Sequence, residues 1–309
     1  MIRPRVFNTI SIDGDTLVKR SSDTASLNDE FGWYSSVPED IRPFFPDIYG
    51  ATYGNGEASI SMRYVRGTTL HESFVSGEFG MDRWDEILSK IRGFTDAMAN
   101  HTMRGNFTNS LYDMYYLKTR TRLERLRNNP RFSRFFETRP VINGTEYPDI
   151  YTLLSEMKGR LECLYDCKDF TVIHGDLHFG NIILDDTDSI KAVDPRGRFG
   201  NYTIFGDPRY DMAKLYHSIE GGYDYITEDM YHLEYEGDRI DYSIEPSEYG
   251  FDLLSRLRRT FDITPQEEKE IRLIESLLFL SMIPLHSESP DHQTVMFARG
   301  MELYARAIR

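Results

Sequence analysis

Residues 170–197 read FTVIHGDLHFGNIILDDTDSIKAVDPRG. Thr171-Val172-Ile173 is a short apolar run of strand character. His174-Gly175-Asp176 is a tight turn in which glycine permits close backbone approach. Asp176 is then presented on a loop, five residues before Asn181. Ile182-Ile183-Leu184 predicts a second strand, Asp185–Ser189 a polar turn, and Ile190–Val193 the returning strand. Asp194 ends that strand and Pro195 follows it. The hairpin therefore brings Asn181 and Asp194 side by side at one mouth, with Asp176 on the adjoining loop.

Two carboxylates and an amide converging at one point suit Mg²⁺, a hard ion that takes oxygen ligands and keeps several waters. Mg²⁺ in turn implies a phosphate-bearing substrate. One aspartate remains to orient and deprotonate a hydroxyl. An Asp-x-x-x-x-Asn loop followed by an Asp at a hairpin end, 18 residues beyond the first, matches the phosphoryl-transfer template. Turn-forming Asp, Asn and Gly explain each residue singly. They do not explain the joint order.

On the N-terminal side, residues 6–20 read as two strands about the turn Asp13-Gly14-Asp15. Residues 24–36 read as a helix that contains Glu30. Pro38, Pro43 and Pro46 break the chain into a loop. Ile48–Tyr53 and Ala58–Val65 predict a second hairpin turning at Gly54-Asn55-Gly56. Helical periodicity follows over 81–100, through Trp84, Ile87, Leu88, Ile91, Phe94 and Met98. It recurs over 109–128 and 149–166, and further helices follow the strand island. The Tyr- and acid-rich segment 222–250 predicts a surface hairpin or lid. Leu273–Leu285 is too short to span a bilayer and reads as a core helix. A β-rich part thus precedes a larger helical one, with a boundary near Val65-Arg66-Gly67.

Composition narrows the function classes. The chain has 309 residues, 40% apolar, 28% charged and 13% aromatic, an ordinary globular balance that permits a sizeable core. Its 36 basic and 50 acidic residues leave a net charge of −14. That argues against a phosphate-backbone footprint, so nucleic acid is not an expected partner. Cys163 and Cys167 offer neither a zinc ligand set nor a disulfide framework. They predict reduced, partly buried thiols in a cytoplasmic protein. The N-terminus turns polar too early for a signal peptide, and no membrane span is expected.

The H-G-D-x-x-x-x-N loop of residues 174–181 resembles that of the aminoglycoside phosphotransferase and choline kinase superfamily, small-molecule relatives of the protein kinases. Gly206-Asp207-Pro208-Arg209-Tyr210-Asp211-Met212-Ala213-Lys214 resembles the same superfamily. More narrowly, D-P-R-G at 194–197 followed by G-D-P-R-Y-D-x-A-K-L-x-H-S-I is similar to kinases of bacterial capsule or lipopolysaccharide biosynthesis. The resemblance implies an α+β, bilobal protein-kinase-like fold. Residues 1–66 would form a small antiparallel β-rich nucleotide-binding lobe. Residues 67–309 would form a large, mainly helical lobe with the catalytic hairpin and the acceptor site.

The resemblance also implies an activity: transfer of the γ-phosphate of Mg²⁺-bound ATP or GTP to a hydroxyl of a sugar, polyol or amino alcohol. Asp176 would accept or orient the hydroxyl proton, and Asn181 and Asp194 would hold Mg²⁺. Lys19 would contact the phosphates, with Glu30 holding it. Met62 and Tyr64 would belong to the hinge that meets the purine. His174 would brace the loop, and Asp211 would cap its helix and tie the loop down. His178, Arg196, Asp207 and Arg209 are acceptor-side candidates, with Arg198, His217, Tyr223 and His286 beyond them. A nucleotidyltransferase is the kind of partner enzyme that would use the product. One departure stands out: no G-x-G-x-x-G precedes Lys19, so the glycine-free Arg5–Thr9 stretch is the expected phosphate cover. A non-catalytic nucleotide-binding pseudokinase and a protein kinase are the alternatives. Retained Lys19, Asp176, Asn181 and Asp194 argue against the first. Gly175, where protein kinases carry Arg, and the lack of an A-P-E segment argue against the second.

Overall fold

A computed structural model describes residues 8–54, 56–245 and 247–309. Most of the expected phosphate cover, Arg5–Phe7, and Asn55 of the second turn lie outside them. The order of elements begins β1 (Asn8–Asp13), β2 (Thr16–Ser21), α1 (Thr24–Ser36), β3 (Ile48–Gly54), β4 (Glu57–Arg63), β5 (Gly67–Thr69), α2 (Leu70–Ser76), α3 (Met81–Ala99) and β6 (Thr102–Arg104). It continues α4 (Thr108–Tyr112), α5 (Lys118–Glu124), β7 (Val141–Ile142), β8 (Thr145–Glu146), α6 (Ile150–Arg160), β9 (Asp169–Val172), β10 (Ile182–Asp185), β11 (Ile190–Ala192) and β12 (Phe205–Gly206). It ends α7 (Pro208–Ile219), α8 (Tyr223–Thr227), β13 (Tyr231–Glu236), β14 (Arg239–Ile244), α9 (Ser247–Thr260), α10 (Pro265–Met282) and α11 (Pro290–Ala307). Two compact units result: Met1–Arg104 with Asp169–Asp211, and Gly105–Lys168 with Met212–Arg309. No helix among the described residues is long and apolar enough to cross a membrane.

The first unit holds an antiparallel sheet of order β1-β2-β4-β3. Period-2 patterning puts Leu17, Lys19 and Ser21 of β2 on its buried face. Lys19 pairs with Ile10 on one side and Ile60 on the other. Helix α1 starts where Asp23 accepts the Ser26 amide, and it buries Leu27, Glu30, Trp33 and Tyr34 along one stripe. The hairpin predicted from Ile182 to Val193 is present, with Ile182 opposite Ala192 and Leu184 opposite Ile190. Strand β5 extends it along the free edge of β10. The strand expected at Thr171–Ile173 runs Asp169–Val172 and lies between β6 and β12.

The loop between β9 and β10 is anchored by its own apolar residues. Leu177 and Phe179 are fully buried. The Phe179 ring stacks on Trp84 at 5.2 Å and meets Phe74 edge-on at 5.3 Å. Burying such a ring is worth roughly 2 kcal/mol. That anchorage alternates with the half-buried Asp176 and His178 and fixes which loop residues face inward.

The second unit is mostly helical, and α10 packs along α11 as its core pair. Of the Leu273–Leu285 run, Leu273 to Met282 lies in the expected core helix, whereas Ile283–Leu285 forms a turn that ends with Leu285 exposed. The helix expected over 109–128 contains a π turn at Asp113–Leu117. Met114, Tyr115 and Tyr116 are all buried there. The 222–250 segment contains the expected hairpin, β13–β14, and β14 adds parallel to β7. Tyr242 Oη donates to Glu302 at 2.8 Å, fastening this hairpin to α11. The two cysteines are not joined in a disulfide, and Cys163, in the short turn at Leu161–Leu164, is exposed rather than partly buried.

Candidate active site

The site grows from the 174–181 loop. His174 is fully buried, and its ring joins two strands of the loop. Nε2 donates to the Val193 carbonyl at 2.9 Å, and Nδ1 accepts the Asp176 amide at 3.2 Å. Burial pulls its pKa down to about 4, so the ring is neutral and keeps this donor–acceptor pattern at neutral pH. It is a brace, as the sequence predicts. The Asp211 carboxylate, one turn into α7, accepts the amides of His174 and Gly175, each at 2.7 Å. It ties the loop down. The helix cap belongs to Asp207, which precedes Pro208 and accepts the Arg209 amide at 3.0 Å. Cap and tie, expected of one aspartate, are divided between two.

Gly175 has φ +78°, and a Cβ there would sit 2.7 Å from Arg196 Cβ. Only glycine meets both conditions. Asp176 thereby leaves the turn on a half-buried ledge. Asn181 Nδ2 donates back to the Asp176 carbonyl at 2.9 Å. His178 caps the short turn after it by accepting the Gly180 amide at 3.1 Å, and its Nε2 lies 3.9 Å from the Asp176 carboxylate.

Asn181 and Asp194 are neighbours, because the Val193 amide donates to the Asn181 carbonyl at 3.0 Å. Asp194 Oδ1 is 3.0 Å from Lys19 Nζ, which is also 2.7 Å from Glu30 Oε2. Burial would lower the Lys19 pKa, but the Asp194 and Glu30 carboxylates outweigh it and hold the lysine charged. Residues separated by 175 positions thus form one ionic triad, with Lys19 and Glu30 buried and Asp194 partly exposed. The donor set of Asn181 and Asp194 fits Mg²⁺. The amide group of Asn181 is used on the Asp176 carbonyl, which leaves its side-chain oxygen. Asp194 has a second carboxylate oxygen beyond the one that meets Lys19. Both are hard oxygen donors.

The remaining candidates divide. Met62 is buried in β4, opposite Leu17 and Ile48. Tyr64 follows that strand, and its amide donates to the Asp15 carbonyl at 2.7 Å. Asp207 and Arg209 engage each other through a two-pronged ion pair, with contacts of 2.6 and 2.9 Å. Arg196 donates to the Arg198 carbonyl at 3.0 Å and lies over the Tyr210 ring. Arg198 pairs with Asp29 at 2.8 Å. His217, Tyr223 and His286 belong to the second unit, where the His217 and Tyr223 rings stack at 4.5 Å.

Beyond Glu30, sequence reading missed the part played by α1. Trp33 Nε1 donates to the Ile173 carbonyl at 2.9 Å, and Tyr34 Oη accepts the Asp194 amide at 3.2 Å. Phe45 stacks on His174. Gly197, at φ +80°, brings the 194–197 segment so close to α1 that a Cβ would lie 2.6 Å from the Glu30 nitrogen. The apolar stripe of α1 was the available signal. Its partners were not.

No family model and no curated protein matches the sequence. Solved structures do match. An apo thermostable mutant of aminoglycoside phosphotransferase APH(4)-Ia shares 12% identity over 96% of this chain and 89% of that one, with a TM-score of 0.59. A ternary complex of that enzyme with ADP and hygromycin B shares 11% identity over 99% of this chain and 94% of that one, at 0.58. A provisionally assigned fructosamine-3-kinase from Haemophilus somnus 129PT shares 10% identity over 99% and 92%, at 0.56. At such low identity these likenesses speak for the fold, and on that ground the chain has the α+β kinase-like fold of small-molecule phosphotransferases.

Proposed function

We propose that the protein is a small-molecule kinase, transferring the γ-phosphate of a Mg²⁺-bound nucleotide, ATP or GTP, to a hydroxyl of a sugar, polyol or amino alcohol. The observation that carries this reading is the Lys19–Glu30–Asp194 triad beside an H-G-D-x-x-x-x-N loop whose every turn is separately braced. Turn-forming residues alone would not gather a buried lysine and two carboxylates around that loop. Structural likeness to an enzyme solved with ADP and hygromycin B supports a nucleotide donor and a small acceptor.

Each residue then has a task. Residues 1–66 hold the nucleotide, with Met62 and Tyr64 at the purine, and residues 67–309 hold the acceptor. Lys19 balances phosphate charge, and Glu30 keeps its ammonium in place. Asp176 orients the acceptor hydroxyl and takes its proton. His178 lies beside Asp176 and faces the acceptor. Asn181 and Asp194 hold Mg²⁺, which, when bound, neutralises phosphate charge. His174 and Asp211 hold Asp176 still, so that positioning and electrostatics lower the barrier. Arg196, Asp207 and Arg209 shape the acceptor side. The D-P-R-G and G-D-P-R-Y-D motifs favour a setting in surface-polysaccharide biosynthesis. There a nucleotidyltransferase would consume a phosphorylated sugar.

The test is nucleoside diphosphate release from ATP and GTP with Mg²⁺ over sugars, polyols, choline, ethanolamine and aminoglycosides, with Asp176→Asn alongside. Acceptor-stimulated release that disappears in the variant is expected. Nucleotide binding with no turnover on any acceptor would instead favour a binding module. Absence of nucleotide binding would overturn the reading.

A further inference from the structure

The second unit carries a cluster of titratable side chains, His286 among them, to which the proposed reaction above assigns no task. Helix α10 is followed by a single turn at Ile283–Leu285, and α11 begins at Pro290. The connector reads His286-Ser287-Glu288-Ser289, and His292 lies in the first turn of α11. Ser289 caps that helix by accepting the His292 amide at 3.2 Å, which folds the connector back over the helix start. One donor atom each from His286, Glu288 and His292 then lies within 4.8 Å of the other two, the one such group found among the described residues.

The geometry suits an ion. His286 Nδ1 and Glu288 Oε1 are 3.1 Å apart. Tetrahedral zinc with ligands at about 2.0–2.2 Å separates its donors by about 3.4 Å. The other separations, none above 4.8 Å, close by at most about 1.4 Å through small side-chain rotations, for which Glu288, its side chain 51% exposed, has room. His292 is buried, and Asp229 Oδ1 sits 2.7 Å from its Nε2. Metal-bound imidazoles ordinarily have such a carboxylate partner, which fixes the ring. Aromatic rings limit both imidazoles further, Tyr223 beside His286 and Tyr231 beside His292.

We propose that His286, Glu288 and His292 bind a zinc-class divalent ion, with Asp229 orienting His292 and water completing the coordination. Two imidazoles and one carboxylate select zinc and its first-row neighbours over Mg²⁺, which prefers all-oxygen sets. The ion links the α10–α11 connector to the segment after α8. It therefore pins the start of α11, whose Val295–Ala298 run is fully buried.

The experiment uses the full chain, stripped with chelator and returned to excess Mg²⁺. Zinc is titrated against a competing chelator, with Co²⁺ absorption reporting the ligand set. Wild type should take one zinc per chain and melt at a higher temperature with zinc than without. His286→Ala and Glu288→Gln change partly exposed side chains, and each should bind at least roughly tenfold more weakly. His232→Ala, which removes the exposed histidine beside Glu234 on β13, should bind like wild type. No saturable zinc binding in excess Mg²⁺, or equal affinity in all four proteins, would overturn the proposal. Neither result depends on whether the chain turns over nucleotide.

Discussion

Replacing Asp211 by Asn tests whether one side chain sets the shape of the 174–181 loop. Its carboxylate accepts two backbone amides at 2.7 Å each, and it is 4% exposed. A hydrogen bond to a charged group contributes about 1.5–3 kcal/mol, and a buried donor left unpaired costs a similar amount. Asparagine keeps the volume and one acceptor oxygen, but its NH₂ group then faces a backbone N–H. One bond is lost outright and the other loses its charge, a combined cost of about 2–4 kcal/mol. Against a typical total of about 5–15 kcal/mol the variant still folds. The chain has only two tryptophans, Trp33 and Trp84, both fully buried in the first unit, so their fluorescence reports the unit that contains the loop. With a urea slope of about 2 kcal/mol/M, the unfolding midpoint should fall by roughly 1–2 M. Turnover should fall on the order of a hundredfold, because Asp176 leaves its position. A midpoint shift below roughly 0.3 M in both Asp211→Asn and Asp211→Ala would refute the reasoning.

Three further outcomes follow from the same geometry. Gly197→Ala forces a Cβ against the α1 backbone at φ +80° and should cost about 2–4 kcal/mol in urea unfolding; a change under about 1 kcal/mol would show that α1 is free to withdraw. Lys19→Met leaves Glu30 and Asp194 without their cation, at about 3–5 kcal/mol. Adding Glu30→Gln should recover more than about 1 kcal/mol of that without restoring turnover, and simple additivity in the double-mutant cycle would contradict the triad. His174 is held neutral by burial, its pKa lowered from 6.5 to about 4. Above pH 6.5 it is neutral folded and unfolded, so its contribution is flat there. As pH falls from 6.5 toward 4 the unfolded chain gains a proton that the native one does not, so stability drops, by about 3 kcal/mol in full. His174→Gln should lose this slope, and an unchanged slope in the variant would assign it to other groups.

The local elements were legible because local rules decide them. The span 24–36 is a helix because its apolar stripe and Asp23 cap agree. The hairpin of 182–192 follows from two apolar runs about a polar turn. The loop motif placed Asp176, Asn181 and Asp194 together because hairpin register is itself local. What stayed hidden was the choice of distant partners. Nothing in the sequence around Trp33 says that its indole nitrogen serves Ile173, 140 residues away. Asp207 and Arg209 are acceptor-side candidates because both are charged and near the motif, but their pairing with each other was not legible. Pro208 between them starts α7 and turns them toward each other, so each already has a partner. The division of cap and tie between Asp207 and Asp211 is likewise a matter of where a helix begins to within one turn, which a sequence marks poorly.

Asp194 shows why the D-P-R-G segment differs from an ordinary strand end. Its φ is +56°, a left-handed conformation that costs most residues roughly 1–2 kcal/mol and aspartate somewhat less. Pro195 fixes the next φ, and Gly197 lies against α1. Together they form a rigid elbow that delivers a carboxylate to Lys19 while Tyr34 accepts the Asp194 amide. Backbone shape and charge are therefore separable at this position. Asp194→Gly keeps the left-handed backbone and removes the carboxylate, whereas Asp194→Ala removes the carboxylate and strains the backbone. Both should lose phosphoryl transfer. The alanine variant should be less stable than the glycine variant by roughly 1 kcal/mol, although alanine is the stiffer residue everywhere else in a chain. Urea unfolding of the two variants decides the matter. If alanine is the more stable, the elbow is not held left-handed in solution, and the Lys19–Asp194 contact must be set by the side chains alone.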